Sequence, residues 1–351
     1  MSVNSNGKRS LIKRGGLIML ITLFLTMLSI ISGCVSEKSA EIRMEGNTNQ
    51  MQDTSLNTRL DPGPGSTLEM KHLPQALIDM QYKAVYEQLS AEFQQSVSEQ
   101  EIKKLSQSFF QPNDVFSLQA EYSLNGLIEY VWTDSQENKG VSAVLDEDNT
   151  IWGLQIVNLT AHPESDDTFT KQEYSLPFKE EWFTYWGGRN VLLNYHYAYE
   201  SQRYAYDFFI AKENRTFAAE ADAANGSYYA FGQEVIAPAD GVVVQVVNDV
   251  ADNKPGTADE TQPAGNYIII DHDGEYSILA HFMEGSILVK QGQQVKRGET
   301  IGLCGNSGNS SEPHIHFQVS DQPSLEQGKS LRIQFKDGVD PIKGQFLQGE
   351  P

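Results

Sequence analysis

The chain has 351 residues, 39% hydrophobic and 21% charged, which is long enough for two domains and apolar enough for packed cores. Its 26 Lys and Arg face 47 Asp and Glu, a formal charge of −21 that argues against nucleic acid as a partner, since phosphates need a basic face. Two cysteines exclude a disulfide scaffold.

Residues 1–33 carry four basic residues, Lys8, Arg9, Lys13 and Arg14, and no acidic one. The low-polarity run Leu17–Ile31 is fifteen residues long. That is short of the ~20 needed to span a bilayer, but fits the core of a signal peptide. It ends in Ile31-Ser32-Gly33-Cys34, which resembles a bacterial lipobox. The resemblance implies cleavage before Cys34, a diacylglycerol on its sulfur, and a mature chain anchored by that lipid to the outer face of a bacterial membrane. Cleavage leaves 22 basic against 47 acidic residues, a charge of −25, so lipid rather than a basic surface is expected to hold the protein there. Cys304, within Gly302-Leu303-Cys304-Gly305, reads as a small buried hydrophobe at a strand end.

Residues 34–70, rich in Ser, Asn, Gln and Thr and without apolar periodicity, read as a disordered tether. In residues 71–160 helical spacings come first, at Leu77, Met80, Ala84 and Val85 and again over 102–110. Strand patterns follow at 116–122, 127–132, 141–146 and 151–159, so a small α+β domain is expected. Tyr82-Lys83-Ala84-Val85-Tyr86-Glu87-Gln88-Leu89 with Val97-Ser98-Glu99-Gln100 resembles an extracytoplasmic cystatin-like domain. No catalytic constellation is legible there, and a protein partner or ligand is the role left open for it. His72 and His162, at its edges, are expected to be solvated.

Residues 161–177 read as a linker. From 178 to 345 short strand patterns alternate with Asp-Gly, Gln-Gly and Arg-Gly turns, an all-β domain. Strands are expected at 241–247, 267–271, 276–282, 286–289, 300–303 and 314–319. Five of the seven histidines lie at or beyond residue 196. On an alternating strand His314, His316 and Gln318 face one way while Ile315, Phe317 and Val319 face the core. Two histidines side by side on a polar face can ligate a metal or relay a proton. By the same parity Ser277, Leu279 and His281 share a face. His272, in Asp271-His272-Asp273-Gly274, is expected at a solvated hairpin tip.

The ordered run Glu234-Val235-Ile236-Ala237-Pro238-Ala239-Asp240-Gly241, Gly265-Asn266-Tyr267, Tyr276-Ser277-Ile278-Leu279-Ala280-His281, Gly305-Asn306-Ser307-Gly308-Asn309-Ser310 and Pro313-His314-Ile315-His316-Phe317 resembles the M23 (LytM/lysostaphin-type) zinc metallopeptidases. The resemblance implies a β-sheet peptidase domain acting on peptidoglycan peptides with one Zn²⁺. It makes His316 a zinc ligand and places His314 and His281 on substrate and water.

One departure stands out. The family's first motif, His-x-Gly-x-Asp, supplies two more ligands, and here the aligned stretch is Arg203-Tyr204-Ala205-Tyr206-Asp207. Arginine has no lone pair to offer a metal. His196 lies upstream, and a turn through Glu200-Ser201-Gln202 could bring it, on an adjacent strand, beside Asp207. The Gln-Arg-Tyr-Ala-x-Asp pattern with an upstream His resembles a variant branch of the family. His196, Asp207 and His316 then leave a fourth tetrahedral position for water, the pattern of a catalytic zinc. His314 and His281 would share the roles of general base and proton donor, in either assignment. Arg203 is left to hold Asp207, to bind a substrate carboxylate, or to form a structural ion pair. Two functions follow: a membrane-tethered endopeptidase of the cell wall, or a silent relative that binds or activates another wall hydrolase.

Overall fold

The computed structural model describes residues 68–218 and 224–350. The signal sequence, Cys34 and most of the tether lie outside the described residues. Among the described residues no helix is long and apolar enough to cross a membrane.

The first domain starts with four short helices, α1 (Leu73–Ile78), α2 (Tyr82–Glu87), α3 (Ala91–Ser96) and α4 (Glu99–Phe109). The sequence spacing ran through Met80, but the chain breaks there at a φ of 64° and separates α1 from α2. Ser98 and Glu101 start α4 with a reciprocal cap: Glu101 N–H donates to Ser98 Oγ at 3.3 Å, and Ser98 N–H to Glu101 Oε2 at 2.8 Å. The helices lay Leu73, Leu77, Val85, Phe93 and Ile102 on Trp132, Val141, Ala143 and Leu145 of an antiparallel sheet. That sheet is the meander β1 (Phe116–Leu124), β2 (Leu127–Asp134), β3 (Lys139–Asp146), β4 (Ile151–Asn158), in that order. Asn125 and Gly126, both at positive φ, make the tight β1–β2 turn that two-residue hairpins require.

The stretch expected to link the domains holds α5 (Pro163–Asp166) and β5 (Phe169–Tyr174). β5 pairs in parallel with β15 (Ser330–Phe335), so packing of the β domain begins before residue 178. Between them run β6 (Glu181–Trp186), β7 (Tyr206–Phe209), β8 (Glu234–Ile236), β9 (Gly241–Val247), β10 (Asn266–Asp271), β11 (Tyr276–Phe282), β12 (Gln294–Val295), β13 (Thr300–Leu303) and β14 (Ile315–Ser320), and β16 (Phe346–Gln348) closes the chain. Residues 286–289 form no strand; Leu288 N–H only meets the Ile301 carbonyl. The main sheet runs β12-β9-β10-β11-β14-β7-β6-β16, and β8 pairs with β13 apart from it. Alternation turns Leu279, Ile315, Phe317, Val319 and Phe208 into one apolar core. Cys304 is buried in that core as a free thiol.

Two expectations about histidines change. His272 is buried, not solvated: its ring bonds the Asp240 carbonyl and Ser277 Oγ, each at 2.7 Å, and lies edge-on to Tyr174. A tight turn can be solvated while its first residue packs back under the neighbouring loop. His162 is half-buried against the Tyr197 ring. His72 is exposed, as expected.

The domains meet through Ala120, Val131 and Leu159 on one side and Leu192 and Leu193 on the other. The β1–β2 turn adds polar contacts, with Asn125 Oδ1 accepting from Thr216 N–H at 2.9 Å.

Candidate metal and catalytic site

The site assembles where β14 lies between β7 and β11. In the β7–β14 ladder His316 stands directly across from Asp207, and His316 Nδ1 lies 3.0 Å from Asp207 Oδ1. In the β11–β14 ladder Ala280 is the partner of His316. His281, next along β11, has no partner in the β10–β11 ladder, which passes from Ala280 to Phe282. Its φ is 68°, a left-handed conformation rare outside glycine.

This bulge corrects the parity expected for β11. Leu279 faces the apolar core, so strict alternation would send His281 there as well. The extra residue resets the alternation and turns the His281 ring toward His314, 4.6 Å away between centroids. The glycine-rich loop fixes it there. Gly305 passes so close to β11 that a Cβ would lie 2.2 Å from the Met283 nitrogen. That approach brings the Ser307 carbonyl 2.8 Å from His281 Nδ1.

His314 sits just ahead of β14, stacked on Phe209 at 4.9 Å and 9°. Its Nδ1 donates to the Glu312 carbonyl at 2.8 Å. Both His281 and His314 therefore turn Nδ1–H to a backbone carbonyl and keep Nε2 as a lone pair. Burial lowers the pKa of each, with His314 and His316 adding to the effect at His281, so both rings are neutral near pH 7.

His196 arrives on a 3-10 turn, Tyr195–Ala198, rather than on the expected strand. The turn suits a sequence in which the Asn194 side chain caps the His196 N–H. His196 Nδ1 bonds Asn194 Oδ1 at 2.9 Å, and its ring lies 3.9 Å from that of Tyr195. Its Nε2 faces Asp207 Oδ2 at 3.7 Å and has no hydrogen-bond partner, although the residue is fully buried. Burial pushes the His196 pKa down to about 3, against the pull of Asp207. Burial opposes ionisation of Asp207 too, but His196, His314 and His316 hold its carboxyl well below the usual range. For His316 burial alone would lower the pKa, but the hydrogen bond and charge of Asp207 and the bond to Gln318 together raise it.

A neutral imidazole nitrogen and a carboxylate oxygen are both acceptors, and facing each other in a buried site they repel. A cation between them removes the conflict. One ligand atom each from His196, Asp207 and His316 lies within 4.8 Å of the others, and two nitrogens with one oxygen is a donor set that zinc accepts. The residues present fit a metal ion.

Arg203 stays out of this cluster. Its Nε donates to the Tyr197 carbonyl at 3.3 Å and its Nη1 to Ser165 Oγ at 3.4 Å. It braces the turn that carries His196 rather than Asp207 itself. Asp166 does the same, accepting from Tyr197 Oη and Tyr204 Oη at 2.8 Å each. Two side chains without an assigned role in the sequence also enter. Gln318 Oε1 lies 2.9 Å from His316 Nε2, which strand parity makes legible, and Asn194 holds His196, which parity does not. The Glu312 carboxyl is pushed up to about 7 by burial, against a hydrogen bond from Thr216.

Residues 226–331 match the family model of peptidase family M23. The match contains His281, His314 and His316 and stops short of His196 and Asp207. The chain is 37% identical over 97 residues to Peptidoglycan DD-endopeptidase ShyA of Vibrio cholerae, covering 27% of this chain and 20% of that protein. It is 35% identical over 88 residues to Murein hydrolase activator NlpD of Escherichia coli, covering 25% of this chain and 20% of that protein. The chain thus spans about a fifth of the length of these relatives. A solved zinc-containing peptidase from Vibrio cholerae aligns with 58% of this chain and 49% of its own, at 22% identity and a TM-score of 0.24.

Proposed function

We propose that this chain is a zinc metalloendopeptidase that hydrolyses peptide bonds of peptidoglycan, held on the outer face of a bacterial membrane by lipid on Cys34. The observation that carries the reading is the buried His196 Nε2, unpartnered and facing Asp207, beside two neutral histidines. His196, Asp207 and His316 would hold the ion. When bound there, zinc supplies a water of lowered pKa and polarises the scissile carbonyl.

The chain's own residues do the rest. His281 and His314, neutral and with Nε2 unprotonated, can each take a proton from the attacking water. The Ser307 and Glu312 carbonyls steady the imidazolium that results, since each already accepts the Nδ1 proton. Returning that proton to the leaving amine completes the cleavage. The geometry equips both rings alike, so the roles stay interchangeable. The sheet cores beneath and the Phe209 ring behind His314 fix the rings and limit water. The first domain, docked on the β domain, is the candidate surface for a protein partner.

The likeness to NlpD supports a second reading, a domain that binds or activates another wall hydrolase without cutting. One experiment separates the two: zinc content and digestion of purified peptidoglycan, with identification of new amino termini. Zinc bound and new amino termini released support the enzyme, with both lost in His196→Ala. No zinc and no cleavage in the parent protein would favour the activator.

A further inference from the structure

A neutral imidazole has two tautomers, and the nitrogen able to ligate a metal is the one without the proton. The proposed ligands use different nitrogens. His196 turns Nε2 to Asp207, whereas His316 turns Nδ1. His316 stands directly across the ladder from Asp207, where the nearer Nδ1 reaches. His196 comes from a turn outside the sheet and needs the longer reach of Nε2.

Behind each ring lies a buried carboxamide that has only one workable orientation. Asn194 Nδ2 donates to the Ala205 carbonyl at 2.9 Å, while its Oδ1 accepts from the His196 main-chain N–H at 3.2 Å. Flipping that amide would set oxygen against the Ala205 oxygen and NH₂ against an N–H. Oδ1 must therefore face His196 Nδ1, and that nitrogen must carry the proton. Gln318 Nε2 donates to the Ser201 carbonyl at 3.0 Å, so its Oε1 must face His316 Nε2 and take a proton from it. Asn194 and Gln318 are 1% and 0% exposed, which keeps water from substituting for either bond. Both anchoring carbonyls belong to the short segment between the His196 turn and β7.

We infer that Asn194 and Gln318 are positioning residues that lock the two histidines in opposite tautomers, Nδ1–H on His196 and Nε2–H on His316. The inference rests on the metal reading for its purpose, but the His196 tautomer is a property of the metal-free protein.

The test is a long-range ¹H–¹⁵N correlation spectrum of the histidine rings, with and without zinc, together with zinc affinity from chelator competition. Wild type should show His196 protonated at Nδ1 in both states and His316 at Nε2 when loaded. Asn194→Leu and Gln318→Leu should each weaken zinc binding about 10- to 100-fold. Asn194→Asp and Gln318→Glu keep the acceptor oxygen but set a second oxygen against the Ala205 and Ser201 carbonyls, so they should keep the tautomer at a cost in melting temperature. An Nε2–H His196 in wild-type metal-free protein overturns the inference, whatever the variants do. So do Leu variants with unchanged tautomers and unchanged affinity. A wild type with the expected His196 tautomer and no affinity for zinc overturns the metal reading and leaves the Asn194 lock standing.

Discussion

Lys343 of the β domain and Glu129 of the first domain meet in a buried ion pair, Nζ to Oε1 at 2.9 Å. The ammonium sits 3.7 Å from the Trp186 ring centroid and 5.3 Å from that of Tyr185, and Glu129 also accepts from Tyr122 Oη. Burial lowers the Lys343 pKa and Glu129 pulls it back, so the pair depends on both partners. Trp186 packs edge-on to Tyr195, which lies on His196, so the domain joint reaches the His196 turn through two rings.

Removing one partner leaves the other charge buried and alone. Lys343→Met is therefore expected to destabilise the protein by about 3–5 kcal/mol. The double variant Lys343→Met with Glu129→Leu is expected to recover most of that. Urea unfolding of the wild type, both single variants and the double checks it; a Lys343→Met protein as stable as wild type contradicts the coupling.

His281 holds a left-handed backbone that costs any side chain with a Cβ roughly 1 kcal/mol relative to glycine. His281→Gly should thus be about 1 kcal/mol more stable than His281→Ala, while both lose hydrolysis together. Equal melting temperatures for the two variants would count against the strain.

Ligand and proton-transfer roles separate by metal content. His281→Ala and His314→Ala are expected to keep zinc while hydrolysis falls about 10²- to 10⁴-fold. His316→Ala and His196→Ala should lose the metal as well. Zinc analysis beside peptidoglycan turnover reads both, and zinc loss in His314→Ala would make that residue a ligand.

Acid should destabilise the metal-free chain. His196, His281, His314 and buried His272 all have folded pKa values below the ordinary imidazole value of about 6.5. The unfolded chain then binds more protons, so their contribution is complete above pH ~6.5 and is lost as pH falls toward the folded values, about 3 for His196. His316, whose pKa is raised, works in the opposite sense and offsets part of this loss. The urea midpoint is expected to be lower at pH 5 than at pH 7.5. A midpoint that rises on acidification would reverse the assignment of these rings as neutral.

The proposed anchor has its own test. Cys34→Ser should move the protein from the membrane fraction to the soluble one, since a charge of −25 offers no general attraction to anionic surfaces. A variant that sediments with membranes as firmly as the parent removes the lipid from the account.

What could be read from the sequence was whatever depends on residues close together along the chain. The alternation of His314, His316 and Gln318 against Ile315, Phe317 and Val319 is a two-residue period, and the strand keeps it. The capping box of α4 and the Asn125-Gly126 turn, seen only in the structure, are local in the same way. Chemistry alone removed Arg203 from the ligand set. The tertiary structure decided what depends on distant segments. His281 reaches the site through a bulge that breaks the local period, against a loop residues away at Ser307. His196 meets Asp207 from a turn rather than a strand, one held by Asn194 and braced by Asp166 and Arg203, with its nitrogen facing the carboxylate. The sequence names the groups able to bind a cation; burial and orientation, which no period encodes, leave their lone pairs turned on one another.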